Sequence, residues 1–112
     1  MKALVLSRFS LGELYTKLRR LGIKEFVDFY KIRKAWRSDD DIVSVITEQK
    51  CNTAVVISNF FLALRIMQRA GFKRVFVVIP KRAFGGEILK ADIYTIEAGE
   101  VKVTKYEDKK RI

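Results

Sequence analysis

Apolar positions in the middle of this chain form two unbroken runs around an amphipathic stretch. Thr53-Ala54-Val55-Val56-Ile57 and Val75-Phe76-Val77-Val78-Ile79 show no polar alternation. Strands of that kind are buried on both faces, which points to a parallel sheet covered by helices. Phe60 to Gly71 lies between them with helical spacing and a closing glycine. The three segments predict one strand–helix–strand unit.

The same reading extends to both ends. Ala3-Leu4-Val5-Leu6 predicts strand one. A helix is expected to start at Ser10, with Ser10 and Glu13 as a capping box and Leu11, Leu14, Tyr15, Leu18 and Leu21 on its apolar stripe. Gly22 ends it. Glu25 to Arg33 alternates as strand two. Ser38 is expected to cap a second helix opened by Asp39-Asp40-Asp41, with Ile42, Val43, Val45 and Ile46 buried. Lys81 to Gly86 reads as a loop. Glu87–Ile96 and Glu100–Tyr106 read as a hairpin around Ala98-Gly99. The predicted fold is α/β. It has a mixed, mostly parallel sheet of five or six strands, helices on both faces and the order βαβαβαβββ. Residues 1–106 form one domain and 107–112 a charged tail.

Composition narrows the chemistry. The chain has 112 residues, no histidine and one cysteine. An internal disulfide is excluded, and a zinc site of the usual ligands is not expected. Histidine cannot serve as a general base. No cofactor and no metal are expected. The Asp39-Asp40-Asp41 triplet is better read as a complement to a helix dipole than as a metal cluster, because successive helical residues point apart. No apolar run reaches a membrane-spanning length, and no signal peptide is evident. A cytoplasmic protein without a membrane partner is expected. The formal charge of +10 points to a polyanion. Only four residues are Asn or Gln, beside abundant Lys, Arg and Glu. That balance resembles hyperthermophile proteins, where a charge-rich surface is ordinary.

Candidate binding groups cluster at strand ends. In parallel sheets, ligands bind beyond the carboxyl ends of strands, near helix N-termini. Ser7, Arg8 and Ser10 occupy the first such junction, and Ser58 and Asn59 the second. Lys81 and Arg82 follow strand four, in a segment that fits a mobile nucleotide-binding loop. If strands one and three are neighbours, the first two junctions meet. Lys31, Arg33, Lys34 and Arg37, with Tyr30 and Trp36 interleaved, form a basic-aromatic stretch suited to nucleic acid. The catalytic residues are unknown at this level.

Several segments also carry a family likeness. Leu4-Val5-Leu6-Ser7-Arg8-Phe9-Ser10 looks like a first strand with an Asn-x-x-Ser-like turn. Ser38-Asp39-Asp40-Asp41-Ile42-Val43 looks like a capped acidic helix. Ala54-Val55-Val56-Ile57-Ser58-Asn59 looks like a strand ending in Gly-His, and Lys73-Arg74-Val75 like an Asn-Arg-Val strand start. Ile96-Glu97-Ala98-Gly99-Glu100-Val101 looks like a Leu-Pro-Glu-Gly turn. In that order these motifs resemble the viral ring-nuclease family of archaeal viruses and mobile elements, inhibitors of type III CRISPR immunity. The resemblance implies a homodimer with a central mixed sheet and a cleft for cyclic tetra-adenylate. The family's catalytic histidine falls at Ser58 or Asn59, and its arginine before the turn at Thr95. The resemblance therefore implies a relative that keeps the scaffold and has lost or replaced the chemistry.

The expected function is that of a small, basic, dimeric protein of an archaeal virus or related element. It would bind nucleic acid or a cyclic oligonucleotide in the host cell interior. Arg8, Lys81 and Arg82 would hold phosphate. Ser7, Ser10, Ser58 and Asn59 would supply hydrogen bonds. The alternatives are a metal-independent ring nuclease for cyclic oligoadenylate and a module that binds a host protein.

Overall fold

The two apolar runs lie at the centre of one six-stranded sheet of order β2-β1-β3-β4-β5-β6. The computed structural model describes residues 1–99 and 101–107. The elements are β1 (Lys2–Leu6), α1 (Leu14–Arg20), β2 (Glu25–Asp28), α2 (Phe29–Ile32) and α3 (Asp39–Gln49), followed by β3 (Thr53–Ile57), α4 (Phe60–Ala70), β4 (Arg74–Phe84), β5 (Glu87–Glu97) and β6 (Lys102–Lys105). Of the expected tail, only Glu107 lies within the described residues, and Glu100 of the β5–β6 turn lies outside them.

The predicted α/β class holds, with helices on both faces. The sheet is mixed as expected but not mostly parallel, and the predicted order βαβαβαβββ gains a second helix between β2 and β3, giving βαβααβαβββ. Strands β2, β1, β3 and β4 run parallel, whereas β4–β5 and β5–β6 are antiparallel. The longest pairing is the antiparallel β4–β5 ribbon.

Alternation along the strands divides the core into two layers. Leu4, Leu6, Ala54, Val56, Val75 and Val77 face α3, α4 and Phe29 of α2. Ala3, Val5, Val55, Phe76 and Val78 face Leu14 and Leu18 of α1. Each of the fully buried Val, Leu and Phe side chains contributes about 1.5–3 kcal/mol.

Four expectations change at the element ends. The predicted strand Glu25–Arg33 stops at Asp28, whose pairing with Val5 is the last of the β1–β2 ladder. The Asp28 carboxylate then accepts the Tyr30 N–H at 3.0 Å and starts α2, which buries Phe29. Ser10 does not cap a helix, and the predicted Ser10–Glu13 capping box is absent. The Ser10 N–H donates to Gly86 O (2.8 Å), and the Ile88 N–H donates to Ser10 O (2.9 Å). The loop backbone thus joins the tip of the β4–β5 hairpin, and helix formation waits until Leu14. Gly12 turns between them at φ +51°, and a Cβ there would overlap the Glu87 carboxylate.

The segment expected as a loop at 81–86 is mostly strand. Lys81 to Phe84 continue β4, and only Gly85 and Gly86 turn, at φ 60° and 78°. Two successive residues of positive φ make the tight hairpin whose twist matches its strands. The pairing register shifts around Arg82, so the ribbon is bulged as it leaves the sheet.

At α3, Ser38 occupies the N-cap position without a side-chain bond to the helix. The acidic triplet is tied down by structure instead. Asp39 pairs with Arg65 at 2.7 Å and Asp40 pairs with Arg69, both from α4. Asp41 accepts the Arg37 N–H at 2.7 Å. The three carboxylates diverge to separate partners.

Candidate functional site

Strands β1 and β3 are adjacent and parallel, and the chain leaves them in opposite directions. After β1 it crosses to α1 on one face. After β3 it crosses to α4 on the other. The two strands are therefore a topological switch point, where the loops part and leave a crevice. The condition set by the sequence, that strands one and three be neighbours, is met.

A cleft of ≈ 350 Å³ opens on the β1 side of this point. Its walls are Val5, Ser7, Arg8, Phe9 and Ser10 from β1 and its loop, Tyr15 from α1, Asp28 from β2 and Lys31 from α2. The loop is held from three directions. The Ser7 hydroxyl donates to Phe9 O (2.7 Å) and accepts the Phe9 N–H (3.1 Å). Ser10 is bonded through its backbone to the hairpin tip. The Arg8 guanidinium lies over the Tyr30 ring, 4.3 Å from its centroid. Tyr30 is itself fixed, because its hydroxyl accepts the Trp36 Nε1–H at 3.2 Å and Phe29 packs edge-on against its ring.

Tyr15 stands on Phe26 with ring centroids 4.8 Å apart. Burial, and after it the nearby Asp28 carboxylate, raises the Tyr15 phenol above its ordinary value, while Arg19 acts in the opposite direction. Tyr15 is thus a neutral donor and acceptor at physiological pH.

The sequence-predicted residues divide between this cleft and other places. Ser7, Arg8, Ser10 and Lys31 line it, although the Ser7 hydroxyl is already engaged within its own loop. Ser58 and Asn59 sit on the neighbouring rim outside the cleft walls. Ser58 turns the chain at φ 57°, and its N–H donates to Val78 O. Asn59 caps α4, with Oδ1 accepting the Leu62 N–H at 2.9 Å.

Lys81 is bound to Asp92 at 3.3 Å, and the same carboxylate takes Lys105 at 3.6 Å. Arg82 stays exposed near the hairpin tip, opposite Lys90 in the ladder. Among the basic-aromatic stretch, Arg33 is spent on both oxygens of Glu48 (2.9 and 3.0 Å), and Trp36 packs on Tyr30. Lys34 and Arg37 are exposed.

Tyr15 and Asp28 did not emerge as site residues from the sequence, whereas Tyr30, expected in the basic-aromatic stretch, carries the Arg8 guanidinium on its ring. An acid closing a strand beside strand one was the available signal for Asp28. Larger hollows of ≈ 440 Å³ open at the opposite end of the sheet, around Gly71, Phe72 and Lys73. That end receives the C-terminus of α4, whose carbonyl dipoles disfavour anions. The smaller, charged cleft is therefore the better candidate.

No protein family, curated protein or solved structure matches this chain. No helix among the described residues is long and apolar enough to cross a membrane.

Proposed function

We propose that this protein binds nucleic acid or a cyclic oligonucleotide across the carboxyl rim of its parallel strands. The observation that carries the reading is Arg8. Its guanidinium is stacked on Tyr30 at the switch point, and no ion pair engages it among the described residues. A guanidinium held over an aromatic ring keeps N–H donors available for phosphate.

The surroundings support the same chemistry. Lys31 on α2, and Lys34 and Arg37 beyond it, are exposed. Arg82 and Lys90 face each other across the β4–β5 ladder, where like charges reduce stability and a polyanion would relieve them. Phe9, Phe61 and Phe84 end up 46%, 78% and 79% exposed near the same strand ends. Exposed rings beside cations are what stacking of unpaired bases uses. The resemblance to viral ring nucleases adds cyclic oligoadenylate as a compact form of the same ligand, and a virus or mobile element as its source. Without histidine, binding is favoured over rapid turnover.

Fluorescence anisotropy with labelled single-stranded oligonucleotides tests the reading. Dissociation constants of about 10⁻⁴–10⁻⁶ M are expected, weakening linearly in log–log form as salt rises. Absence of binding at low salt to DNA, RNA and cyclic tetra-adenylate alike removes the reading.

The proposal includes a twofold homodimer. β6 is a four-residue edge strand carrying Lys102 and Lys105, and edge lysines discourage strand-to-strand pairing. The dimer is therefore expected to form away from that edge. Light scattering is expected to give twice the 13.0 kDa chain mass, and a single-chain mass at micromolar concentration rules the dimer out.

A further inference from the structure

We infer that the cleft between β1, β2 and α1 holds one ribonucleotide unit, with Asp28 reading a ribose hydroxyl while Arg8 and Lys31 hold the phosphate. This rests on the polyanion reading above and adds the sugar to it.

The argument starts from a mismatch. A site for bare phosphate gains nothing from a carboxylate, which repels the ligand at close range. Yet Asp28 lines the same small cleft as Arg8 and Lys31. No ion pair among the described residues neutralises it. One of its oxygens, Oδ1, accepts the Tyr30 N–H and fixes the side chain. The other makes no hydrogen bond among the described residues. A ligand that satisfies this arrangement carries an anion and, a few ångströms away, a hydrogen-bond donor.

A ribonucleotide has that pattern, because its hydroxyls lie beside its phosphate. The topology agrees. Asp28 is the last residue of β2, and β2 pairs with β1, whose loop holds Arg8. In nucleotide-binding sheets the first loop takes phosphate and an acid at the end of the adjoining strand takes the ribose hydroxyl. The cleft, at ≈ 350 Å³, falls near the lower end of small-ligand sites (about 300–1,000 Å³), so it suits one unit and not a folded polymer. Tyr15, a neutral phenol on the opposite wall, can donate to or accept from the same sugar.

The test compares labelled oligoadenylates of equal length with ribose, 2′-deoxyribose and 2′-O-methylribose. The native protein is expected to bind the ribose form about tenfold or more tightly than the deoxy form, from one hydrogen bond to a charged acceptor. The 2′-O-methyl form, which lacks the donor, is expected to bind like the deoxy form. Asp28→Asn keeps the Oδ1 acceptor for Tyr30 and turns the free oxygen into a donor. It is expected to reduce the ribose preference several-fold without weakening deoxy binding, because a neutral amide bonds the hydroxyl more weakly than a carboxylate does.

Equal binding of all three sugars by the native protein overturns the ribose assignment and leaves the polyanion reading standing. Binding of none overturns both. A ribose preference that is undiminished in Asp28→Asn overturns the role of Asp28. If that variant fails to fold, the 2′-O-methyl comparison on the native protein decides the sugar assignment alone.

Discussion

Phe76→Ala is expected to destabilise the fold by about 3–5 kcal/mol, a large part of the roughly 5–15 kcal/mol that holds a domain of this kind together. Phe76 is fully buried. It sits on β4, between Val55 of β3 and Thr95 of β5, in the layer covered by α1. Truncation leaves a cavity that neighbouring strands cannot close, because their positions are fixed by the ladder. Urea denaturation followed by circular dichroism should show a lower midpoint with an unchanged slope. Phe84→Ala is the matched control. Phe84 is 79% exposed on the ribbon, so its loss should change stability by no more than about 0.5 kcal/mol. A loss below about 1 kcal/mol at Phe76 would mean that the α1 layer is not a packed core.

The difference between those two phenylalanines also shows which parts of the structure the sequence made legible. Phe76 lies in an unbroken apolar run, and such runs became the central strands at the expected residues. Phe60 to Gly71 likewise became a helix closed by Gly71. Phe84 belongs to the ribbon, where Lys81 and Arg82 are solvated. A strand that leaves its sheet has no buried face, so it carries no hydrophobic pattern to read. The segment therefore looked like a loop, although its backbone is paired as far as the Gly85-Gly86 turn.

Ser10 failed for a related reason. Its cap signature was local, whereas the hairpin tip that claims its backbone is more than seventy positions away in sequence. At β2, Phe26, Val27, Phe29, Tyr30 and Ile32 supported alternation, but the Asp28 carboxylate caps a helical turn at Tyr30 and Phe29 is buried in that turn. Tertiary context overrode local preference in each case.

The candidate site follows the same division. Arg8 and Ser10 were visible because their residue types suit a phosphate at a strand end, and Lys31 because it opens a basic-aromatic stretch. Asp28 and Tyr15 were not, because one read as a strand residue and the other as part of a helical stripe. Only the β2-β1-β3 order brings them to one cleft. The order also separates Lys81, which is committed to Asp92, from the unpaired cations.

Arg8→Ala should weaken binding of single-stranded nucleic acid by roughly ten- to hundredfold, the range of one charge-assisted hydrogen bond. The loss should be similar for all base sequences, because a phosphate contact carries no sequence information. The slope of log affinity against log salt should fall by about one, for one fewer counterion released. Stability should change little, since the exposed stacking on Tyr30 contributes only about 0.5–1 kcal/mol. Arg8→Lys keeps the charge but not the planar, stacked fork, so it should restore the salt slope more fully than the affinity. Arg33→Ala provides the contrast. Arg33 is already held by Glu48, and its removal frees that carboxylate without taking a cation from the cleft. Its affinity should stay within about threefold of the native value, as expected for an exposed pair worth little in itself. Native-like binding by Arg8→Ala, or an equal loss in Arg33→Ala, would show that the polyanion is held by diffuse surface charge rather than at the switch point.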